Sequence, residues 1–270
     1  MKFSAAISAL LCAEVALAAR FTEKRRESRA NRQLSQRSGG LRRSQPIIKS
    51  DRASIESNNT YVEYSSNWAG AVISTTGVTS VTGTVTVPSL SSSSGNTETA
   101  GSAWVGIDGD TCQTAILQTG IDWYVEGSSV SYDAWYEWYP DYSYDFTGIT
   151  IAAGDSIKMT VTATSKTGGT AVIENVTTGK TVTETFSGVT DGSLCEYDAE
   201  WIVEDFEECD PDCELVPFAD FGTVTFTDAS AVIDGATVTP AEATIIDIEQ
   251  SNKVLTSCSA SSSEVTCTYE

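Results

Sequence analysis

The sequence predicts an all-β protein. Three observations carry that expectation. Short runs rich in Val, Thr, Ile and Tyr recur from Tyr61 onward. Clusters of Gly, Ser, Asn and Asp separate them, and these are the residues that turns demand. No long stretch shows apolar residues at helical spacing. Many short strands in this rhythm make a β-sandwich. The 270 residues suffice for one large β domain or two small ones, and no internal repeat is evident.

The amino-terminal segments have a different character. Met1-Lys2, the apolar run 3–11 and Ala16-Leu17-Ala18 read as a secretory signal cut after Ala18, interrupted by Glu14. The run is too short to span a bilayer, and no later segment reaches that length. A secreted, extracellular protein with no membrane partner is expected. Residues 19–57 form a polar, basic segment with dibasic pairs at Lys24-Arg25-Arg26 and Arg42-Arg43. They read as a propeptide, with the mature protein starting between Ser44 and Thr60. The organisation expected is 1–18 signal, 19–57 propeptide and 58–270 catalytic domain.

Charge divides the chain the same way. Of 16 Lys and Arg, 12 lie in residues 1–52, which hold only 4 of the 37 acids. Residues 53–270 thus carry 4 bases against 33 acids, a net charge of −29. Such a surface repels nucleic acid and repels itself, and the self-repulsion fades as the acids protonate. A domain built to work in acid is the expectation. The basic propeptide can pair with it at neutral pH and release it in acid, as an inhibitor or a chaperone.

Strands are expected at 78–87, 131–139, 156–163, 170–175, 181–186, 199–205, 222–226 and 244–248, with a Ser-rich loop at 90–101. The stretch from Trp104 to Asp122 reads as strand, turn, strand, with Asp108-Gly109-Asp110 at the reversal. Strand alternation places Ile116, Gln118, Gly120 and Asp122 on one face, and Ala115, Leu117, Ile121 and Trp123 on the other, which reads as core. Cys12 leaves with the signal, and six cysteines remain in a secreted chain. Cys258 and Cys267 flank a turn, Cys209 and Cys213 are near neighbours, and Cys112 is left with Cys195. Fifteen pairings are formally open. Asn58-Asn59-Thr60 and Asn175-Val176-Thr177 fit the N-glycosylation sequon.

Histidine is absent. That excludes Ser-His and Cys-His triads and any His-ligated metal site. Acid–base chemistry falls to carboxylates, Tyr, Lys or amides. Two further segments carry suitable groups. Alternation puts Asp133, Trp135, Glu137 and Tyr139 on one face of the first, and Asp198, Glu200, Ile202, Glu204 and Phe206 on one face of the second. Beside the Gln118 face they form a groove floored by acids and walled by aromatics, suited to an extended polymer. Crowded carboxylates raise one another's pKa.

The stretches Tyr64-Ser65-Ser66-Asn67-Trp68-Ala69-Gly70, Trp104 to Gly109, Ile116 to Gly120, Trp135 to Pro140 and Ala199 to Glu204 resemble the glutamic peptidases, or eqolisins, of filamentous fungi. The resemblance spans roughly 61–269. It implies a secreted acid endopeptidase, a sandwich of two antiparallel sheets with the cleft on the concave one, and no metal or organic cofactor. Gln118 and Glu200 match the family's catalytic pair. Trp68, Trp104, Asp133, Trp135, Glu137 and Tyr139 match substrate-cleft positions, and Asp108, Asp122 and Glu204 match supporting acids. The expected substrates are extended proteins or peptides, and the expected state is a monomer. The residues taken alone also fit an acid glycoside hydrolase using Glu200 with Glu137 or Glu204. They fit as well a carbohydrate-binding β-sandwich stacking sugars on Trp135 and Trp138.

Overall fold

The computed structural model describes residues 41–57, 60–91, 98–209 and 212–270. The signal, the Lys24-Arg25-Arg26 site and Asn58 lie outside them. The strands, in chain order, are β1 Leu41–Arg43, β2 Ile55–Ser57, β3 Thr60–Ser65, β4 Trp68–Ser74, β5 Val78–Thr86, β6 Thr99–Ile107, β7 Ile116–Glu126, β8 Ser129–Tyr139 and β9 Tyr144–Asp145. They continue as β10 Ser156–Ser165, β11 Gly168–Asn175, β12 Lys180–Ser187, β13 Asp198–Glu204, β14 Glu207–Cys209, β15 Cys213–Leu215, β16 Thr223–Ile233 and β17 Ala236–Val238. The last four are β18 Thr244–Gln250, β19 Lys253–Val254, β20 Thr256–Ala260 and β21 Val265–Tyr269. One turn of 3-10 helix, Pro240–Glu242, is the only helical element among the described residues. The all-β expectation holds, and the expected strands are present within a few residues of their expected ends, except that the strand expected to end at Phe226 runs on to Ile233. The loop expected to run to Gly101 ends earlier, because Thr99 already pairs with Val125.

Two large sheets stack. One runs β12-β11-β10-β5-β16-β21-β20, with β17 beside β16. The other runs β2-β3-β18-β4-β13-β6-β7-β8-β9, with β19 beside β18. Pairing is antiparallel except between β18 and β3. A third, small sheet joins β1, β14 and β15. The main core lies between the large sheets. Leu117, Ile121 and Trp123 of β7, Trp138 of β8 and Trp201 of β13 meet Val81, Val85, Ile157 and Val161 of the facing sheet there. The apolar face read for β7 is therefore the core face.

All three disulfides form as expected, Cys112–Cys195, Cys209–Cys213 and Cys258–Cys267. The first closes a loop across 83 residues. In a chain-entropy account a loop of that length contributes about 4.5 kcal/mol.

Two carboxylates are buried outside the cleft. Asp205 accepts from Gln250 Nε2 at 2.7 Å, and burial pushes its pKa up to about 7. Asp247 accepts from the Thr256 hydroxyl and the Cys258 N–H, and burial pushes it up to about 6. A carboxyl raised on folding stabilises the fold below its unfolded pKa, and that stability is lost as pH rises through the folded value. The melting temperature should therefore fall from about pH 4 to about pH 8. Asp205→Asn and Asp247→Asn keep the acceptor oxygens and should flatten the fall, as calorimetry across that range would report. A melting temperature that is flat or rising in the wild type would contradict this.

Asn175 is fully buried, and its Nδ2 donates to Thr150 O and Asp155 Oδ2. A glycan on Nδ2 would remove one of its two donor hydrogens and finds no room at a fully buried amide. Mass spectrometry of the protein should find Asn175 bare.

Candidate active site

The cleft face of the β4-β13-β6-β7-β8 array is organised in rows across the strands. Each row follows from the register. One contains Val72, Glu200, Gly106, Gln118 and Glu137. The next contains Gly70, Ile202, Trp104, Gly120 and Trp135. The third contains Trp68, Glu204, Ser102, Asp122 and Asp133. Strand alternation thus sets every acid and aromatic expected in the groove, Tyr139 and Asp108 included, on or beside one surface.

Gly106 separates Glu200 from Gln118. A Cβ there would lie 2.7 Å from the Trp104 ring and 3.1 Å from Glu200 Oε2. The missing side chain keeps the space between amide and carboxyl open. Gly120 does the same for the indole of Trp135, which would stand 2.9 Å from an added Cβ.

Asp108 holds the wall beside Glu200. The Asp-Gly reversal puts Asp108 at φ 68° and Gly109 at φ 133°, conformations that Asp and Gly accept. The Asp108 carboxylate then accepts N–H bonds from Cys195 (2.7 Å), Glu196 (3.0 Å), Tyr197 (2.7 Å) and Asp198 (3.3 Å). Asp198 answers by accepting from the Thr111 N–H, the Thr111 hydroxyl and the Cys112 N–H. Sequence reasoning placed Asp198 on the cleft face but gave it no part.

Burial pushes Glu200 well above the usual carboxylate range, and the nearby Asp198, Asp108 and Asp110 add to it. Neither Glu200 oxygen accepts a hydrogen bond of normal geometry among the described residues, although the Asp110 amide approaches. Glu204 accepts from Trp68 Nε1 at 3.3 Å and Trp104 Nε1 at 2.7 Å. The two indoles meet edge to face, 5.0 Å between centroids. Burial pushes Glu204 up to about 8, against those bonds. Glu137 is also raised by burial and by Glu204, while Arg42 and Arg43 oppose the shift.

Gln118 and Glu200 are both fully buried. The cover is the chain's own segment 41–50. Its β1 extends the β14-β15 hairpin, pairing Leu41 with Cys209 and Arg43 with Glu207. The Arg42 guanidinium enters the cleft. It pairs with Asp122, lies 3.7 Å from Asp145, donates to Ser143 Oγ and Tyr124 Oη, and stacks over Trp135 at 5.3 Å. Arg43 lies over Tyr139 at 5.7 Å. The Ser44 N–H donates to Glu137 Oε2 at 3.2 Å, and Gln118 Nε2 donates to the Ser44 carbonyl at 3.4 Å. The Ser44 hydroxyl and the Gln45 N–H also reach Glu204. The opposite charge of this segment was legible in the sequence. Its path through the cleft was not, nor were its partners Asn67, Tyr124, Ser143 and Asp145.

Trp138 departs from the sugar-stacking arrangement. It faces the core, with its Nε1 donating to Gly192 O, on the side of β8 opposite Trp135. An aromatic platform built from both rings is ruled out by strand alternation. Glu200 and Glu137 stand three strands apart, about 14 Å between Cα atoms at ordinary strand spacing. That is a wide gap for two acids flanking one sugar bond.

A model of the Peptidase A4 family matches residues 66–269. Aspergillopepsin-2 of Aspergillus niger is 54% identical over 289 residues, with all of both chains covered. Scytalidopepsin B of Scytalidium lignicola is 48% identical over 277 residues, again with both chains fully covered. The crystal structure of scytalido-glutamic peptidase with a transition state analog inhibitor superposes with a TM-score of 0.71 at 54% identity, over 76% of this chain and 98% of that one. The fold, the acid-lined cleft and this degree of identity agree: the chain belongs to the Peptidase A4 family, the glutamic peptidases or eqolisins, and is a peptide-bond hydrolase.

Proposed function

We propose that the chain is a secreted endopeptidase that hydrolyses extended peptides in acid through Gln118, Glu200 and one water. The observation that carries this reading is the row Glu200–Gly106–Gln118, with a peptide carbonyl, that of Ser44, facing the Gln118 amide. Glu200 as carboxylate takes the water's proton and returns it to the departing amine. Gln118 offers an N–H₂ donor to the carbonyl oxygen as negative charge develops there. Its amide is neutral, so it donates at any pH. Asp108, Asp122 and Glu204 set the shape and charge around the pair. Trp68, Trp104, Asp133, Trp135, Glu137 and Tyr139 line the path of the substrate chain. The likeness to a relative crystallised with a transition state analog supports a peptide in this cleft.

In the same reading residues 19–57 are a propeptide whose stretch 42–50 lies in the cleft as an inhibitor, while its last residues pair as β2 with β3. By excluding water it holds the Glu200 carboxyl neutral, and a neutral carboxyl is no base. Departure of the segment solvates Glu200 and restores the carboxylate.

Two measurements test this. On mature enzyme, Gln118→Ala should lower kcat by about 10²–10³, and Glu200→Gln by at least about 10². KM should change little, and the double variant should be little worse than the worse single one. Near-normal turnover by Glu200→Gln with a native melting curve would remove Glu200 as the base. Separately, a synthetic peptide of residues 38–52 should inhibit the mature enzyme more tightly at pH 6 than at pH 3, since the domain's net negative charge, which attracts the basic segment, falls in acid. Removing one member of a buried ion pair costs about 3–5 kcal/mol, so Arg42→Ala in that peptide should weaken inhibition at least about a hundredfold at pH 6.

A further inference from the structure

Before Ser44 the segment crossing the cleft pairs by its main chain with β14 and sends the Arg42 guanidinium to Asp122. After Gln45 the side chain of Lys49 pairs with Glu63 and Asp110 and that of Ser50 with Glu249, and a run of contacts grips the main chain. The Pro46 carbonyl accepts from Asn67 Nδ2 at 3.3 Å, and the Ile48 N–H donates to Asn67 Oδ1 at 2.8 Å. Between them, the Ile47 N–H donates to Gly109 O at 3.2 Å and the Ile47 carbonyl accepts from Gln113 Nε2 at 3.3 Å. Farther on, Ser66 N donates to Ile48 O and Ser50 N to Tyr64 O. Only the Ile47 side chain is buried, among Trp68, Ile116 and Ile246, while Ile48 is exposed and the half-exposed Lys49 pairs with Glu63 and Asp110.

The side chain of Asn67 therefore does what a neighbouring strand would do. It offers one acceptor and one donor to two main-chain groups spaced two residues apart. It is fully buried, and its Oδ1 is held in place by the Ser65 hydroxyl at 2.8 Å. The amide is thus oriented before any chain arrives.

We infer that Asn67 is a substrate-binding residue that grips the main chain of the second and fourth residues after the carbonyl facing Gln118. This rests on the reading that a substrate follows the path and direction of segment 42–50. The contacts ignore side-chain identity, so the enzyme should reward length on the carboxyl side of the scissile bond. An apolar third residue, at the place of Ile47, is favoured there, as is a basic fifth residue at the place of Lys49.

The test uses mature enzyme and two fluorogenic peptides with the same residues before the scissile bond. One carries six residues after it and the other carries one. Two neutral hydrogen bonds are at stake, so Asn67→Ala should raise KM for the long peptide about tenfold. It should leave kcat within about twofold and the short peptide unchanged. A second arm alters the substrate instead of the fold. N-methylation of the fourth residue after the scissile bond removes the donor to Asn67 Oδ1. It should raise KM for wild type, with much less further effect in Asn67→Ala, the signature of one shared interaction. Equal loss on both peptides, loss in kcat alone, or N-methylation without effect on wild type would overturn the assignment of Asn67 and leave the peptidase reading intact. Failure of wild type to cleave either peptide would overturn both.

Discussion

The structure depends on one buried clasp. The Asp108 carboxylate sits in a cup of four successive N–H groups, and Asp198 returns the grip on Thr111 and Cys112. The Cys112–Cys195 disulfide ties the same two loops covalently. These loops lead into β7 and β13, the strands that carry Gln118 and Glu200. A slip of one residue in either strand would turn its cleft residues into the core and its core residues into the cleft. The clasp pins the register at the end of the sheet nearest the pair, so an anionic side chain in the interior serves as a fastener for backbone.

Charge supplies the second constraint. The domain places Glu137, Glu200, Glu204, Asp122 and Asp133 on one face, and among the described residues the cations that act on them are Arg42 and Arg43. Burial without a cation favours the neutral carboxyl. The cations that enter come from residues 42 and 43, so the chain carries its counter-charge on a segment outside the sandwich. Acid makes that counter-charge unnecessary, because protonated carboxyls can stand close together with their hydrogen bonds intact.

Much of this was legible in the sequence. A period of two along β7, β8 and β13 was enough to sort Gln118, Asp122, Trp135, Glu137, Glu200 and Glu204 onto one face. The spacing of six cysteines suggested the pairing that forms, out of fifteen formally open. Residues acting from outside a regular strand were not legible. Asn67 precedes β4 and belongs to no alternating pattern, and its value lies in a side chain oriented by Ser65, which no local rule foretells. Ser143 and Asp145 reach Arg42 through the bend after Pro140, a tertiary contact. Arg42 itself read as one half of a dibasic pair. Its burial against Trp135 needed the folded cleft, because only there does a guanidinium find an acid and a ring together.

The contact of Trp68 and Trp104 with Glu204 has a consequence beyond shape. Both indole N–H groups donate to one carboxyl. Indole emission responds to the charge on a hydrogen-bonded neighbour, so the emission of two of the six tryptophans would follow the ionisation of Glu204. These rings stand where the covering segment passes, beside Ser44 and Gln45.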